Sequence, residues 1–316
     1  MANYDVFNGD ADGIISLVQL RRAEPRKAEL VTGRKRDIKL LSRVKAKAGD
    51  HLTVLDISMR TNSDDLRRIL GAGASVFYVD HHNAGEIPEH KGLEAVIDTS
   101  PEMCTAMLVD DCLLGAHRAW AVTAAFGDNF PKLAEAKAKG LDLPLARLSR
   151  LGMLVNYNGY GGSEADLLYH PAELYRQLAP FDTPMEFLAE NGQVFTKLDE
   201  GYKSDFAQAE KAEILDQSAS GIVLGLPDAA GSRRISGVFG NQLAQENKTR
   251  AHAILTAQQG GYLVSIRAPI SNRFGADTLA LQFETGGGRA AAAGINHLPN
   301  ADLSRFIQAF RSAFKL

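Results

Sequence analysis

Acidic and imidazole side chains follow three apolar stretches in the first quarter of the chain. They are Asp10 and Asp12 after "NYDVF", Asp56 within "LTVLDI", and Asp80, His81 and His82 after "ASVFYV". Carboxylates brought close together repel one another and would hold protons unless a cation neutralised them. Oxygen ligands with one or two imidazoles suit Mn²⁺ or Mg²⁺ better than a metal that prefers thiolates. The three clusters together therefore predict a metal site.

Each cluster taken alone has a more ordinary explanation. A single "DADG" is often a turn, in which Asp supplies local hydrogen bonds and Gly13 lets a helix begin. Asp56 could cap a helix, and His81 or His82 could be a loop histidine with satisfied hydrogen bonds. The arrangement of all three clusters at the ends of successive strands favours the metal interpretation over turn chemistry.

The elements that must position these side chains alternate between strands and helices. The predicted strands are "NYDVF", "AELVT", "LTVLDI", "ASVFYV" and "EAVID", and the predicted helices are Ile14 to Arg22, Ile38 to Ala48 and Ser63 to Leu70. This alternation indicates an α/β fold with a mostly parallel sheet and helices on both faces. Ligands of such sheets bind at the carboxyl ends of the strands, where the acidic clusters fall.

The rest of the chain is predicted to form a helical middle and a smaller α/β portion. Residues 131–218 look mainly helical with a break at Gly140, and "GQVFTKLDEGYKSDFAQAEKAEILDQ" is predicted to be one long connecting helix. The strands "GIVLGL", "RISGVF", "AHAILTAQ" and "GYLVSIRAP" follow, with a short helix at Asn241 to Glu246. We thus expect a bilobal chain with a metal-binding core at 1–130, a helical extension at 131–217 and a substrate-binding domain at 218–316.

Composition narrows the class of protein. The 316 residues are 45% hydrophobic and 23% charged, which suits a large buried core and two domains. No apolar run reaches a membrane span and the first residues lack a signal-peptide layout, so we expect a cytoplasmic protein with no membrane partner. Cys104 and Cys112 suit two small buried hydrophobic side chains better than a zinc site or a disulfide framework, which argues against redox chemistry.

Charge is distributed unevenly along the chain. Residues 216–316 contain six acids and ten Lys and Arg, whereas the whole chain has a net charge of −3. A metal-holding part and a phosphate-binding part would give this division, and so would random surface charge. No sustained basic stripe of the kind that binds long duplexes is present.

Two glycine-containing stretches are candidate substrate contacts. Asn156, Tyr157 and Asn158 lie in "NYNGYGGSEADLLYHP", which could stack or hydrogen-bond a base or could be a helix-to-helix turn packed by tyrosines. In "GGGRAAAAG", the amides of Gly287 and Gly288 beside Arg289 could bind an anion at the start of a helix. The same glycines could be a hinge, and the alanines a close helix contact.

The ordered motifs resemble the DHH phosphoesterase superfamily, which includes RecJ-type exonucleases, nano-RNA and cyclic-dinucleotide phosphodiesterases, and family II pyrophosphatases. "NGDADG", "VLDIS", "VDHH" and "AAFGDNF" are similar to its first four motifs, in order, within the first 130 residues. Asn8 departs from the pattern, because relatives often carry His or Asp there. An amide is a neutral and poorer ligand, so a metal near Asn8 would be weakly held.

The resemblance implies a ligand set and a mechanism. Asp10 would hold one metal, Asp12 the other, and Asp56 would bridge both, with His81, Asp128 and a weak Asn8 completing the coordination. Asp80 would orient these ligands, and His82 would lie near the scissile phosphate. Two Mn²⁺ ions per chain, with Mg²⁺ as the alternative, would activate a bridging water for attack on phosphorus.

The C-terminal portion resembles the substrate domain associated with this superfamily. "GGGRAAAAG" is similar to a glycine-rich signature written GGHxxAAG, with Arg289 in the His position, and Arg267 in "SIRAP" matches a second arginine-bearing motif. Arginine keeps a phosphate contact but removes a group that can shuttle protons.

The predicted function is hydrolysis of short single-stranded oligonucleotides to nucleoside monophosphates. A cyclic or linear signalling dinucleotide is the nearest alternative substrate. The departures at Asn8 and Arg289 also allow a nucleotide-binding regulator that has lost catalysis. A family II pyrophosphatase fits less well, because those enzymes have a different C-terminal lobe. The sequence leaves DNA versus RNA and the oligomeric state open, a homodimer included.

Overall fold

The first sheet of the protein is entirely parallel. This computed structural model describes residues 1–315, and its chain divides into two compact units, Met1–Glu200 and a second that begins at Gly201. The strands of the first unit are β1 (Asn3–Phe7), β2 (Glu29–Val31), β3 (His51–Leu55), β4 (Ser75–Asp80) and β5 (Leu93–Ile97). Their order in the sheet is β2-β1-β3-β4-β5, and every pairing is parallel. The loops after β1, β2, β3 and β4 therefore leave the same edge of the sheet.

Helices cover both faces of this sheet. They are α1 (Ala11–Ala23), α2 (Ser63–Gly71), α3 (Thr105–Cys112), α4 (Arg118–Gly127), α5 (Pro131–Ala138), α6 (Leu145–Asn158), α7 (Pro171–Leu178) and α8 (Pro184–Glu190), and α9 (Gly192–Ala209) leads out of the unit. Helix α1 packs on β1 and β3, with α3, α4, α6 and α7 against it. On the opposite face, side chains of alternate strand residues, such as Val54 and Tyr78, form an apolar cluster with Leu66 and Ile69 of α2. The predicted α/β class is confirmed.

The second unit is a mixed sheet with helices on both faces. Its strands are β6 (Glu213–Gln217), β7 (Gly221–Leu226), β8 (Ala251–Gln258), β9 (Gly261–Arg267), β10 (Gly286–Arg289) and β11 (Ala292–Pro299), in the order β10-β11-β9-β8-β7-β6. Only β7 and β8 pair in parallel, joined by α10 (Ala230–Glu246). Helices α11 (Ala276–Ala280) and α12 (Leu303–Ala313) enclose a core that includes Phe306 and Phe310.

The helix predicted at Ile38 to Ala48 does not form. Only a 3-10 turn, Leu40–Arg43, is present there. Side chains from α2 and the loop before it take the backbone groups that a helix would use: Asn62 Nδ2 donates to the Ile38 carbonyl at 2.7 Å and Arg68 donates to the Leu41 carbonyl at 3.0 Å. The apolar residues that suggested a helix are instead buried as an irregular segment of the core.

Two further elements differ from the sequence prediction. The long connecting helix ends at Ala209, and Glu213–Gln217 is strand β6, because this segment pairs with β7. "RISGVF" is not a strand but part of α10, whose buried residues Ile235 and Phe239 are four apart on one helix face. The apolar residues of so short a stretch are compatible with the two-residue repeat of a strand and with the 3.6-residue repeat of a helix.

The glycine-rich stretch is a hairpin rather than the start of a helix. Gly286–Arg289 pairs antiparallel with β11, and Ala290 and Ala291 form the turn. Sheet pairing overrides the helix propensity of the alanine run. Cys112 is exposed rather than buried as predicted, whereas Cys104 is buried. None of the described helices is both long and apolar enough to cross a lipid bilayer.

Candidate active site

The loop between β1 and α1 fixes the first two carboxylates. Asp10 caps α1, and its Oδ1 accepts a hydrogen bond from the Gly13 amide at 3.1 Å. Asp12 is fully buried in the first turn and accepts the Thr105 and Ala106 amides of α3, both at 2.7 Å. A side chain at position 13 would collide with the Asn8 carbonyl, so glycine is required for this tight entry. These contacts hold Asp12 in one orientation.

Asp56 follows β3 in an unusual backbone conformation. Its φ is +59°, in the left-handed region that non-glycine residues rarely occupy. Thr105 Oγ1 donates to Asp56 Oδ1 at 3.0 Å, and the carboxylate is almost completely buried. Such conformations cost free energy and persist at functional sites, where the surrounding structure holds them.

The two histidines after β4 are held in defined tautomers. His81 Nδ1 lies 2.7 Å from the Met103 carbonyl, and because a carbonyl only accepts, this nitrogen carries the proton. His81 Nε2 is therefore the ring nitrogen left with a lone pair for a metal. His82 Nδ1 donates to the fully buried Asp80 at 2.8 Å. Burial lowers the pKa of His82, but the hydrogen bond to Asp80 outweighs it and the pKa is raised.

Three carboxylates converge on His81 Nε2. This nitrogen lies 3.6 Å from Asp56 Oδ1 and 3.8 Å from both Asp12 Oδ2 and Asp128 Oδ2. Burial, and then the charge of neighbouring carboxylates, raises the pKa of Asp12 and raises that of Asp56 well above its usual range. Asp12, His81 and Asp128 offer ligand atoms that all lie within 4.8 Å of one another, and so do Asp56, His81 and His82. Carboxylate oxygens around a shared imidazole nitrogen fit a divalent cation of the Mn²⁺ or Mg²⁺ class.

Asp10 faces a different partner. Lys35 Nζ lies 2.6 Å from Asp10 Oδ2, and 3.1 Å from both Asp128 Oδ1 and Asn156 Oδ1. Burial would raise the pKa of Asp10, but the charge and hydrogen bond of Lys35 lower it to about 2. Asn8 donates through Nδ2 to the Lys35 carbonyl at 3.2 Å, while its buried Oδ1 lacks a hydrogen-bond partner among the described residues.

The residues just described form what we call the acid rim. It comprises Asn8, Asp10, Asp12, Asp56, Asp80, His81, His82 and Asp128, all of which were predicted from the sequence, and the structure brings them together. Three contributors were missed: Lys35, Thr105 and Met103. Lys35 lies in "TGRKRD", which has the composition of a solvated loop, and its contacts follow from β2 pairing with β1, which local sequence does not show. Thr105 and Met103 act through short-range contacts that carry no sequence pattern.

The second unit presents Arg267 and Arg289 on one face of its sheet. Arg289 of β10 is directly opposite Ala292 of β11, which is directly opposite Arg267 of β9. Directly opposed residues point to the same side, so the two arginines, here called the arginine row, lie about 10 Å apart across two strand spacings. Arg267 donates to Asn241 Oδ1 at 2.6 Å and to the Gly237 carbonyl at 3.1 Å, whereas Arg289 is exposed.

The remaining predicted substrate contacts lie in different surroundings. Gly287 and Gly288 are strand residues of β10 beside Arg289, so their amides do not form a helix N-terminus. Asn156 contacts Lys35, as described above. Tyr157 is fully buried, and Asn158 is also buried: its Nδ2 donates to the Tyr169 carbonyl at 2.8 Å, and its Oδ1 accepts from the Tyr169 backbone amide at 3.0 Å. These bonds give Asn158 a structural role in holding the loop after α6.

No family model and no curated protein matches the chain. Solved structures do. An exonuclease RecJ structure with bound manganese matches with a TM-score of 0.67 and 18% sequence identity, covering 100% of this chain and 90% of that chain. A RecJ structure in complex with Mn²⁺ from Thermus thermophilus matches with a TM-score of 0.63 and 19% identity, covering 98% of this chain and 51% of that chain.

Two other structures also match along most of their own length. A DHH domain from a protein described as a member of the s1p family of ribosomal proteins gives a TM-score of 0.66 at 12% identity, covering 100% of this chain and 87% of that chain. The pGpG-specific phosphodiesterase PggH from Vibrio cholerae gives a TM-score of 0.58 at 18% identity, covering 99% of this chain and 98% of that chain. The chain thus has the same fold as these RecJ, DHH-domain and PggH structures.

Proposed function

We propose that the protein is a metal-dependent phosphodiesterase that hydrolyses short single-stranded oligonucleotides to nucleoside monophosphates. The observation that carries this proposal is the convergence of Asp12, Asp56 and Asp128 on His81 Nε2, within 3.6–3.8 Å, in a DHH fold. Mutually repelling buried carboxylates are costly without a cation, and an imidazole with a fixed tautomer is prepared to bind one.

The chain's own residues would divide the work of the reaction. A divalent cation bound by these four side chains would supply an acidified water and stabilise charge at phosphorus. Asp12 and His81 hold that position through backbone hydrogen bonds. His82 donates Nδ1–H to Asp80, which leaves Nε2 as the atom to face the substrate, and its side chain is 38% exposed. The raised pKa of His82 favours the imidazolium form, which would bind a phosphoryl oxygen.

Manganese is the proposed metal, because His81 is a nitrogen ligand and Mg²⁺ prefers an all-oxygen octahedron. The RecJ structures that match this fold include complexes with Mn²⁺ and with Mg²⁺. The sequence resemblance implies two ions per chain.

The arginine row is proposed to bind a phosphate of the substrate that is not cleaved. Arg289 is exposed, and its guanidinium can make two parallel hydrogen bonds to a phosphate. A net charge of −3 favours a substrate of a few nucleotides, since long strands usually recruit many Lys and Arg contacts. A linear dinucleotide is the second candidate, because PggH, which is pGpG-specific, has the same fold over nearly its whole length.

The test compares substrates with matched variants. Purified protein, stripped with a chelator and supplied with Mn²⁺, is incubated with end-labelled DNA and RNA of two to twenty nucleotides, pGpG and cyclic dinucleotides. Asp128→Asn should abolish cleavage, whereas Asp64→Asn, which changes a fully exposed carboxylate in α2, should not. Nucleotide binding without turnover on any substrate would contradict the enzyme proposal and support the regulator alternative.

A further inference from the structure

Lys35 makes the contacts that a bound cation would make. Its ammonium nitrogen has three oxygen neighbours, Asp10 Oδ2 at 2.6 Å, Asp128 Oδ1 at 3.1 Å and Asn156 Oδ1 at 3.1 Å. An ammonium group has three N–H donors, so these acceptors satisfy it completely. Lys35 Nζ also lies over the face of the Tyr160 ring, 5.4 Å from the ring centroid. The positive charge is therefore fixed in one place rather than mobile on a surface side chain.

The backbone around Lys35 is built for this position. The Lys35 amide donates to the Gly159 carbonyl at 2.9 Å, and its carbonyl accepts from Asn8 Nδ2 at 3.2 Å. A side chain at Gly9 would collide with the Gly33 carbonyl, so the loops after β1 and β2 approach each other as closely as glycine allows. The loop that carries Lys35 is thus tied to both the acid rim and the end of α6.

The carboxylate of Asp128 separates two positions. Its Oδ2 faces His81 Nε2 at 3.8 Å, and its Oδ1 faces Lys35 Nζ at 3.1 Å. Asp12 and Asp56 lie within 3.8 Å of His81 Nε2, whereas Asp10 contacts Lys35 and also the Asp56 carboxyl. A second divalent cation on the Asp10 side would have to share Asp10 and Asp128 with the Lys35 ammonium group. A dication and an ammonium group that share the same carboxylates would repel each other strongly.

The side chain of Asn8, near Asp10, is neutral. A dication beside Asp10 would be favoured by a further anionic or imidazole ligand, and this chain has a neutral amide at that point. Asn8 donates through Nδ2 to the Lys35 carbonyl, and its buried Oδ1 is a neutral amide oxygen without a hydrogen-bond partner among the described residues. The change to a neutral side chain and the presence of a fixed monovalent charge are thus two parts of one arrangement.

We infer that the site takes one divalent cation, held by Asp12, Asp56, His81 and Asp128, and that the Lys35 ammonium occupies the place of a second cation. This inference rests on the proposed function and changes its metal count. Lys35 is a positioning residue: it neutralises Asp10 and fixes Asp128, which in turn orients the remaining metal position.

The test is metal stoichiometry, measured without reference to activity. Chelator-stripped protein is titrated with Mn²⁺ by calorimetry, its metal content is measured after gel filtration, and its electron paramagnetic resonance spectrum is recorded. We expect one equivalent in the wild type and the hyperfine pattern of an isolated Mn²⁺ ion. Lys35→Met should admit a weak second equivalent, and Asn8→Asp combined with Lys35→Met should bind two, with the spectrum of an exchange-coupled pair. Lys39→Met, at an exposed lysine in the same loop, should stay at one.

The outcomes separate this inference from the proposed function. Two equivalents with a coupled spectrum in the wild type would overturn the inference and leave a metal-dependent phosphodiesterase in place. One equivalent in a double variant with wild-type circular dichroism would also overturn it, because removal of the ammonium would not have opened a site. No bound Mn²⁺ in the wild type would refute the proposed function and the inference together.

Discussion

The acid rim and Arg289 of the arginine row place opposite charges at strand ends, and they are held in opposite ways. Asp12, Asp56 and Asp80 are almost fully buried, and each has a fixed hydrogen-bond donor. Arg289 projects from a hairpin strand and is exposed. Buried charge requires fixed partners because desolvation is costly, whereas an exposed guanidinium keeps its hydration and its rotamer freedom. The first arrangement suits chemistry at one phosphorus atom, and the second suits adaptable binding of a substrate.

The largest expected effect is at Asp56. Asp56→Asn should lower kcat on the order of a thousandfold or more, since metal stabilisation of the transition state amounts to several kcal/mol. The same change should raise the Tm of the metal-free protein at neutral pH, because it removes a buried carboxylate whose ionised form the fold disfavours. Steady-state kinetics with Mn²⁺ check the fall in kcat, and thermal melts of chelator-treated protein check the rise in Tm. Unchanged kcat with unchanged metal content would remove Asp56 from the mechanism.

Arg289 should matter about as much as one charge-assisted phosphate contact. Arg289→Ala should lower kcat/KM for a dinucleotide about tenfold to a hundredfold, as expected from the loss of ~1.5–3 kcal/mol. Bis-p-nitrophenyl phosphate, which lacks a second phosphate, should be cleaved at nearly the wild-type rate. Arg273→Ala, at another exposed arginine of the second unit, is the matched control. Equal losses on the two substrates would contradict a role limited to binding.

Metal binding should stabilise the protein more as the pH rises. The pKa values of Asp12 and Asp56 are raised, so their contribution to metal-free stability is present at low pH and is lost as the pH rises through those values. Asp10, with a pKa of about 2, acts in the opposite sense, but its contribution is complete above about pH 4. The Tm increase caused by Mn²⁺ should therefore grow from about pH 5 to about pH 8, because metal competes with protons. Thermal melts across this range would refute the assignment if the increase were constant.

The smallest effect on turnover is expected at Asn158. Asn158→Ala leaves the amide and carbonyl of Tyr169 without their partner and should cost about 1–3 kcal/mol of unfolding free energy. Urea denaturation measures this loss, while kcat/KM at a temperature well below the transition should stay near wild type. A large drop in kcat/KM with unchanged stability would instead make Asn158 a substrate contact.

The sequence predicted the acid rim better than the parts around it. Strand alternation fixes the edge at which Asp10, Asp56 and Asp80 emerge, and parallel topology brings that edge together. Lys35 was missed because its contacts depend on β2 lying next to β1, a neighbour relation that strand order decides and local sequence does not. The hairpin at Arg289 was missed because the pairing of β11 with β9, and of β10 with β11, overrides the helix propensity of alanine.

The domain boundaries predicted at 131 and 218 stay predictions; by compactness the chain divides between Glu200 and Gly201. The roles assigned to His82 and Asp80 are also predictions. Their geometry follows from β4 and the hydrogen bond at 2.8 Å, but their part in catalysis depends on where a phosphate binds. Substitution of His82 with Gln, which keeps a side-chain amide but not the imidazolium, addresses that role.

The most direct test of the central claim is an anomalous difference map from crystals of the protein soaked in Mn²⁺ and measured at the manganese edge. The account predicts a peak bounded by His81 Nε2 and by Asp12 Oδ2, Asp56 Oδ1 and Asp128 Oδ2, the three oxygens that lie 3.6–3.8 Å from that nitrogen. Absence of a peak at this position, in crystals that show Mn²⁺ bound elsewhere, would contradict it.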